Sequence, residues 1–138
     1  MSEAESVLLV ISAASGVGKS SLARALVETS ERIVLSVSHT TREIGENEVN
    51  GRDYHFVTEH EFKRMIEAGE FLEYAKVYDN YYGTSREAVV RELESGNNVI
   101  LEIDWQGAQQ VETRFPSVIK IFVLPPSIEA LRLSLIHI

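Results

Sequence analysis

Three groups of residues have the types and spacing to do chemistry. The first is the run Ala13-Ala14-Ser15-Gly16-Val17-Gly18-Lys19-Ser20-Ser21. Its Gly-x-Gly-Lys-Ser core matches a phosphate loop, with Ala13 where the usual pattern begins with glycine. Glycines let the backbone curl so that successive amides converge on phosphate oxygens, and a following helix adds its positive end. Lys19 can reach the β and γ phosphates of a nucleoside triphosphate, and the Ser20 hydroxyl can ligate Mg²⁺. The bland reading is a Gly-rich turn with a surface lysine. The second group is Arg42 with Tyr54, Tyr82 and also Tyr81. A guanidinium can hold a phosphate bidentately, and phenols can donate to the same anion. Equally, tyrosines in a hairpin can serve packing alone. The third group is acidic. Glu73 sits among aromatic segments, where a carboxylate could accept the N1 and N2 hydrogens of guanine. It could also be a solvated surface residue. Glu102 and Asp104 close an apolar run, on one side of a strand by strict alternation with Ile103 opposite. Either could hold Mg²⁺ or its waters, and Asp104 could instead cap the next helix.

These residues must be carried by regular elements. Residues 7–13 read as a strand buried on both faces, 19–28 as a helix, and 33–37 as a second strand. Residues 38–57 are polar and read as a loop entering an edge strand at 54–57. Thr58-x-x-Glu61 and Thr84-x-x-Glu87 have capping-box spacing. The first opens a helix with Phe62, Met65 and Ile66, stopped at Gly69; the second opens one with Val89 and Leu93, ending near Gly96. Between them, 71–82 reads as strand and turn with its bend at Asp79-Asn80. Residues 99–103 and 118–124 are further strands, separated by a helix holding Trp105, Ala108 and Val111, and Ser127 could open a last helix. The outline is an α/β core with a parallel sheet, residues 1–37 and 85–138, interrupted by an α+β insertion at 38–84.

Composition narrows the classes. The 138 residues carry 13 Lys plus Arg against 21 Asp plus Glu, a net charge of −8. That balance argues against a protein that wraps nucleic acid, which needs excess cations. Cysteine is absent, which removes disulfides and thiolate chemistry. His39, His55 and His60 are irregularly spaced and suggest no zinc site. No apolar run approaches the roughly 20 residues of a membrane span. The acidic start (Glu3, Glu5) does not resemble a signal peptide, so a soluble cytoplasmic protein is expected, with oligomeric state open.

Taken together, the chain closely resembles the bacterial-type guanylate kinase family over residues 7–132. The resemblance runs through the phosphate loop, Ser36-Val37-Ser38-His39-Thr40-Thr41-Arg42, Gly51-Arg52-Asp53-Tyr54-His55-Phe56-Val57, Phe71-Leu72-Glu73, Asn80-Tyr81-Tyr82-Gly83-Thr84 and Leu101-Glu102-Ile103-Asp104-Trp105-Gln106-Gly107-Ala108. It implies a P-loop nucleoside monophosphate kinase that moves the γ-phosphoryl of ATP to GMP with Mg²⁺. It implies that Ser38, Arg42, Tyr54 and Tyr82 hold the GMP phosphate, and that Glu73 and Thr84, helped by Glu102, contact guanine. Lys19 and the loop amides would hold ATP, Asp104 would lie near the metal and phosphates, and Lys19, Arg42 and Asp104 would be catalytic. Two departures stand out. Where the family usually has Pro-Arg-x-Gly-Glu, this chain has Ile44-Gly45-Glu46-Asn47-Glu48. Losing that second arginine is expected to cost about 1.5–3 kcal/mol of phosphate binding, with Arg52 a candidate to compensate. After Arg132 the chain reads unlike the family, ending Leu133-Ser134-Leu135-Ile136-His137-Ile138. The expectation is a C-terminally truncated form lacking the lid and last core strand, weak or inactive as an enzyme. The rival expectation is a guanylate-kinase-like domain that binds protein and does not catalyse.

Overall fold

The computed structural model describes residues 6–13 and 19–123. The phosphate-loop residues 14–18, and the expected helix after Ser127, lie outside them.

The first apolar run forms β1 (Leu8–Ala13). It lies inside a four-stranded sheet with β2 (Ile33–Leu35), β7 (Asn98–Glu102) and β8 (Ile119–Val123), in the order β2-β7-β1-β8, every pairing parallel. Alternate side chains of β1 and β7 enter two cores. Leu8, Val10, Val99 and Leu101 pack on one face with Val89, Ala108 and Val111 of the helices α3 (Arg86–Glu94) and α4 (Trp105–Arg114). Ile11 and Ile100 pack on the other face with Ala23 of α1 (Lys19–Glu28). A strand covered on both faces has no polar side to show, which is why these runs are continuously apolar.

Residues between β2 and α3 build a second sheet, ordered β4-β3-β6-β5, from β3 (His39–Thr40), β4 (His55–Phe56), β5 (Phe71–Val77) and β6 (Asn80–Ser85). The helix α2 (Glu59–Glu67) closes over it, burying Phe62 and Met65 against Phe71. The rings of Phe62 and Phe71 are 4.4 Å apart. Leu72, the next residue of β5, is fully buried in the core of the parallel sheet instead. β5 therefore belongs to both cores.

Several expectations shift. The segment read as loop and edge strand supplies two strands of two residues each, His39–Thr40 and His55–Phe56, paired in parallel. Strands that short carry no detectable alternation. The hairpin bends at Tyr78-Asp79, one residue earlier than expected, because Asn80 already pairs with Val77. Tyr78 takes the left-handed backbone at φ 57° and is 94% exposed. Ser85, not Thr84, caps α3, accepting from the Ala88 amide. Thr84 is fully buried in β6 and bonds elsewhere. Thr58 caps α2 as expected, but the Glu61 carboxylate turns to Arg64 at 2.8 Å, so the box is not reciprocal. Trp105 opens α4 at 57% exposed, whereas Ala108 and Val111 are buried. The strand ends at Glu102, so alternation no longer governs Asp104, and Ile103 faces the same hollow as its neighbours.

His39 and His55 stand opposite each other in β3 and β4, rings 4.6 Å apart. His39 Nδ1 is buried without a hydrogen-bond partner. Burial first, then the neighbouring His55, pushes the His39 imidazole down to about 4, against a smaller opposing pull from Glu61. The unfolded chain, with an ordinary histidine, binds more protons in the window between that value and about 6.5. The His39 contribution to stability is therefore complete above that window and is lost as pH falls through it. Thermal melts of the parent and His39→Gln should show the parent's relative midpoint dropping on acidification across this range. A difference independent of pH would show that His39 does not titrate this way.

Candidate active site

A cavity of about 320 Å³ opens where the two sheets meet, lined by Ser38, Tyr54, Glu73, Ala75, Val77, Tyr82, Glu102, Ile103 and Asp104. Each comes from a segment fixed by packing. Ser38 leads into β3, Tyr54 precedes β4, and in the β5–β6 ladder Glu73 pairs with Thr84 and Tyr82 with Ala75. Glu102 ends β7, and Asp104 caps α4 by accepting from the Gly107 amide at 2.8 Å. Cap and cavity wall are compatible roles for one carboxylate, since the cap uses Oδ1.

Glu73 is 5% exposed. The Thr84 hydroxyl donates to its Oε1 at 2.7 Å. A register shift between Phe71 and Glu73 sets the carboxylate against this partner. Burial pushes the Glu73 carboxyl up to about 7; the Thr84 bond opposes this and nearby Asp104 adds to it. A carboxylate so placed costs free energy when ionised in the apo protein, and it will ionise readily if a ligand presents donors to it.

Arg42 stands behind Tyr54, its guanidinium 5.2 Å from the ring centre, and Tyr54 and Tyr82 are in edge contact at 5.9 Å. Glu48 grips both ends of the guanidinium, Oε1 to Nη1 and Oε2 to Nη2, each at 2.8 Å. That pairing holds the Glu48 carboxyl down to about 2 and raises Arg42 above the usual guanidinium range. Burial of the Tyr54 phenol raises it above the ordinary tyrosine value. Nothing in the motif Ile44-Gly45-Glu46-Asn47-Glu48 marks Glu48 as the partner of Arg42. The available signal was a charge argument: an arginine beside aromatic rings needs an anion nearby, and Glu48 is close in sequence. Gly45 fits the same picture. Its amide donates to Glu48 Oε1 at 2.8 Å, and a Cβ there would meet that oxygen at 2.8 Å. A side chain at 45 would require the tip of Glu48 to shift. Arg52 bonds Asp53 and the Asn47 carbonyl, and like Arg42 it does not line the cavity itself.

The cavity thus gathers Ser38, Tyr54, Glu73, Tyr82, Glu102 and Asp104, with Thr84 behind Glu73 and Arg42 behind Tyr54. The loop residues Ala14, Ser15, Gly16, Val17 and Gly18 lie outside the described residues, though the backbone on both sides is defined: Ala13 ends β1 and Lys19 opens α1. Ile11 pairs with Glu102, so β1 and β7 end at the same sheet edge. A larger hollow, about 570 Å³, lies near α2 and α3; it mixes Arg86 and Arg91 with Glu70, Glu87 and Glu94 and gathers none of these residues.

The family model described as guanylate kinase matches residues 5–138. The chain belongs to the guanylate kinase family. It is 54% identical over 129 residues to guanylate kinase of Thiobacillus denitrificans, covering 94% of this chain and 62% of that protein. It is 56% identical over 128 residues to guanylate kinase of Chromohalobacter salexigens, covering 93% and 60%. It superposes on the crystal structure of guanylate kinase from Anaplasma phagocytophilum with a TM-score of 0.81 at 38% identity, covering 97% of this chain and 68% of that one. The chain spans about three-fifths of the length of the curated guanylate kinases it matches. Among the described residues no helix is long and apolar enough to cross a membrane.

The buried carboxyl makes a stability prediction. Its folded value lies above the unfolded one, so the folded chain binds more protons between about 4.5 and 7, and stability falls as pH rises through that window. Above it, ionised Glu73 costs on the order of 3 kcal/mol. Glu73→Gln keeps an acceptor for Thr84 and removes that cost. Its thermal midpoint should exceed the parent's in mildly alkaline buffer, with the gap closing towards pH 4.5. A variant less stable than the parent at alkaline pH would contradict this account.

Proposed function

We propose that this chain is the nucleotide-binding part of an enzyme that transfers the γ-phosphoryl group of ATP to GMP, giving ADP and GDP. The observation that carries the reading is the buried Glu73–Thr84 pair facing a cavity with Tyr54, Tyr82 and Ser38 on its wall. Guanine offers N1–H and N2–H side by side, a match for one carboxylate, whereas adenine lacks that pair. Ser38, Arg42, Tyr54 and Tyr82 take the acceptor's phosphate, and Glu73 and Thr84, with Glu102, take its base. The segment 38–84 is then the acceptor unit and 1–37 with 85–138 the P-loop core.

The donor side rests on Ala13, Ala14, Ser15, Gly16, Val17, Gly18, Lys19, Ser20 and Ser21. β1 ends at Ala13 and α1 starts at Lys19, and a Gly-rich loop between a strand and a helix N-terminus would offer amides to phosphates. The Asp104 carboxylate, two residues past the neighbouring strand end, suits a hard cation or its waters. Ser20 would hold Mg²⁺, which neutralises charge on the phosphates when bound. No side-chain nucleophile is needed. A phosphate oxygen of GMP attacks the γ-phosphorus, the bond to the β–γ bridging oxygen breaks, and ADP leaves with the electron pair. Lys19, Arg42 and Asp104 contribute charge and alignment.

Calorimetric titration of this chain with GMP, guanosine and AMP, beside a coupled assay of ADP release, tests the reading. GMP should bind better than AMP. Glu73→Gln should weaken GMP by about tenfold to a hundredfold, as expected for losing a charged hydrogen-bond pair, and leave AMP unchanged. Equal loss for every acceptor would remove the base-reading role. Arg42→Lys loses the planar fork and should weaken GMP about tenfold while sparing guanosine, which has no phosphate. A folded chain that binds neither ATP with Mg²⁺ nor GMP would favour the non-catalytic, protein-binding alternative.

A further inference from the structure

Gly107 sits in the first turn of α4, where alanine would be the better helix former. Something other than helix stability therefore asks for glycine there. A Cβ at 107 would come within 2.8 Å of Glu73 Oε2, 3.2 Å of Ile103 Cδ1 and 3.4 Å of Asp104 Oδ1. The first distance is too short for any real contact, so the carboxylate would have to move. Its freedom is limited. Thr84 holds Oε1. On one side of Glu73, the Tyr74 amide donates to Gln110 Oε1 at 3.1 Å and Gln110 Nε2 donates to the Tyr74 carbonyl at 2.9 Å. On the other side, Arg114 Nη1 donates to the Phe71 carbonyl at 2.7 Å. Gly107, Gln110 and Arg114 follow one another along one side of α4, at helical spacing, and they hold β5 at the irregular step that presents Glu73.

We propose that this side of α4 is the specificity-positioning surface of the site: Gly107 leaves the space that Glu73 Oε2 occupies, and Gln110 and Arg114 pin the strand so that the carboxylate meets the acceptor's base at one height. The inference rests on the reading of Glu73 as the group that recognises guanine. It makes Gly107 a positioning residue, acting on ligand chiefly through Glu73, and it traces base selectivity to the contacts that α4 makes with β5.

The test compares GMP with IMP, which keeps N1–H and lacks the 2-amino group, on this chain and its Gly107→Ala, Gln110→Ala and Glu73→Gln variants. Affinity is read by calorimetry and folding by thermal melts. For Gly107→Ala the expected result is a loss of GMP affinity of about tenfold or more, a GMP-to-IMP ratio moving towards one, and a midpoint equal to or above the parent's. Gln110→Ala should move the ratio the same way by a few-fold. A Gly107→Ala protein that keeps the parental ratio, while Glu73→Gln loses it, overturns the positioning role and leaves Glu73 as the reader. Equal weakening of GMP and IMP with a lowered midpoint also overturns it, because that is what a merely structural glycine would give. If Gly107→Ala does not fold, the Gln110→Ala and Arg114→Ala double variant decides: a parental ratio there overturns the proposal. If Glu73→Gln itself keeps the ratio, the fault lies in the reading of Glu73.

Discussion

Three consecutive residues of β5 go to three different surroundings, and the site depends on that step. Phe71 enters the aromatic core under α2, Leu72 enters the core of the parallel sheet, and Glu73 enters the cavity between them. A regular strand would alternate two faces only. The register shift against β6 breaks the alternation and lets one strand join both cores while aiming a carboxylate at the space left over. The same step explains why burying a charge is tolerated here. Leu72 and Phe71 anchor the strand by apolar burial, so Glu73 need not contribute to stability at all.

The two carboxylates that matter are held in opposite electrostatic conditions. Glu73 is desolvated, has one hydroxyl for company, and is pushed towards its neutral form. Glu48 lies at the edge of the molecule, bound at both oxygens to a guanidinium, and is held ionised. The first is an acceptor waiting for donors. The second keeps an arginine over the rings of Tyr54 and Phe56, where its position is set before an anion arrives. In this setting the glycine at 45 gains a physical reason. Its amide donates to Glu48 Oε1, and the space beside it is filled by the tip of the Glu48 side chain.

Parallel strand order puts the ends of β1 and β7 side by side. A loop leaving one strand end and carboxylates leaving the other then share one edge of the sheet without any contact specified between them. Open α/β sheets place ligands at such an edge for this reason. The second sheet sits across from it, carrying the tyrosines and Glu73, so the cavity is a consequence of how the inserted segment folds back.

The amino-acid sequence by itself determined the parallel core and its helices, because continuous apolar runs and helical periodicity are signals of burial that need no knowledge of partners. It also determined the residue types at the site, since Arg42, Glu73, Tyr54, Tyr82 and the acidic pair at 102 and 104 stand out by chemistry. What it left open was decided by contacts between residues far apart in the chain. Thr84 looked like a helix cap until the strand pairing set it against Glu73, eleven residues away. Glu48 was invisible until the loop closed on Arg42, and Gly107 had no reason to be glycine until α4 lay across β5. Local pattern records what each residue must bury, but the partner of a polar group is chosen by tertiary packing, because its strength depends on distance and on the water excluded around it.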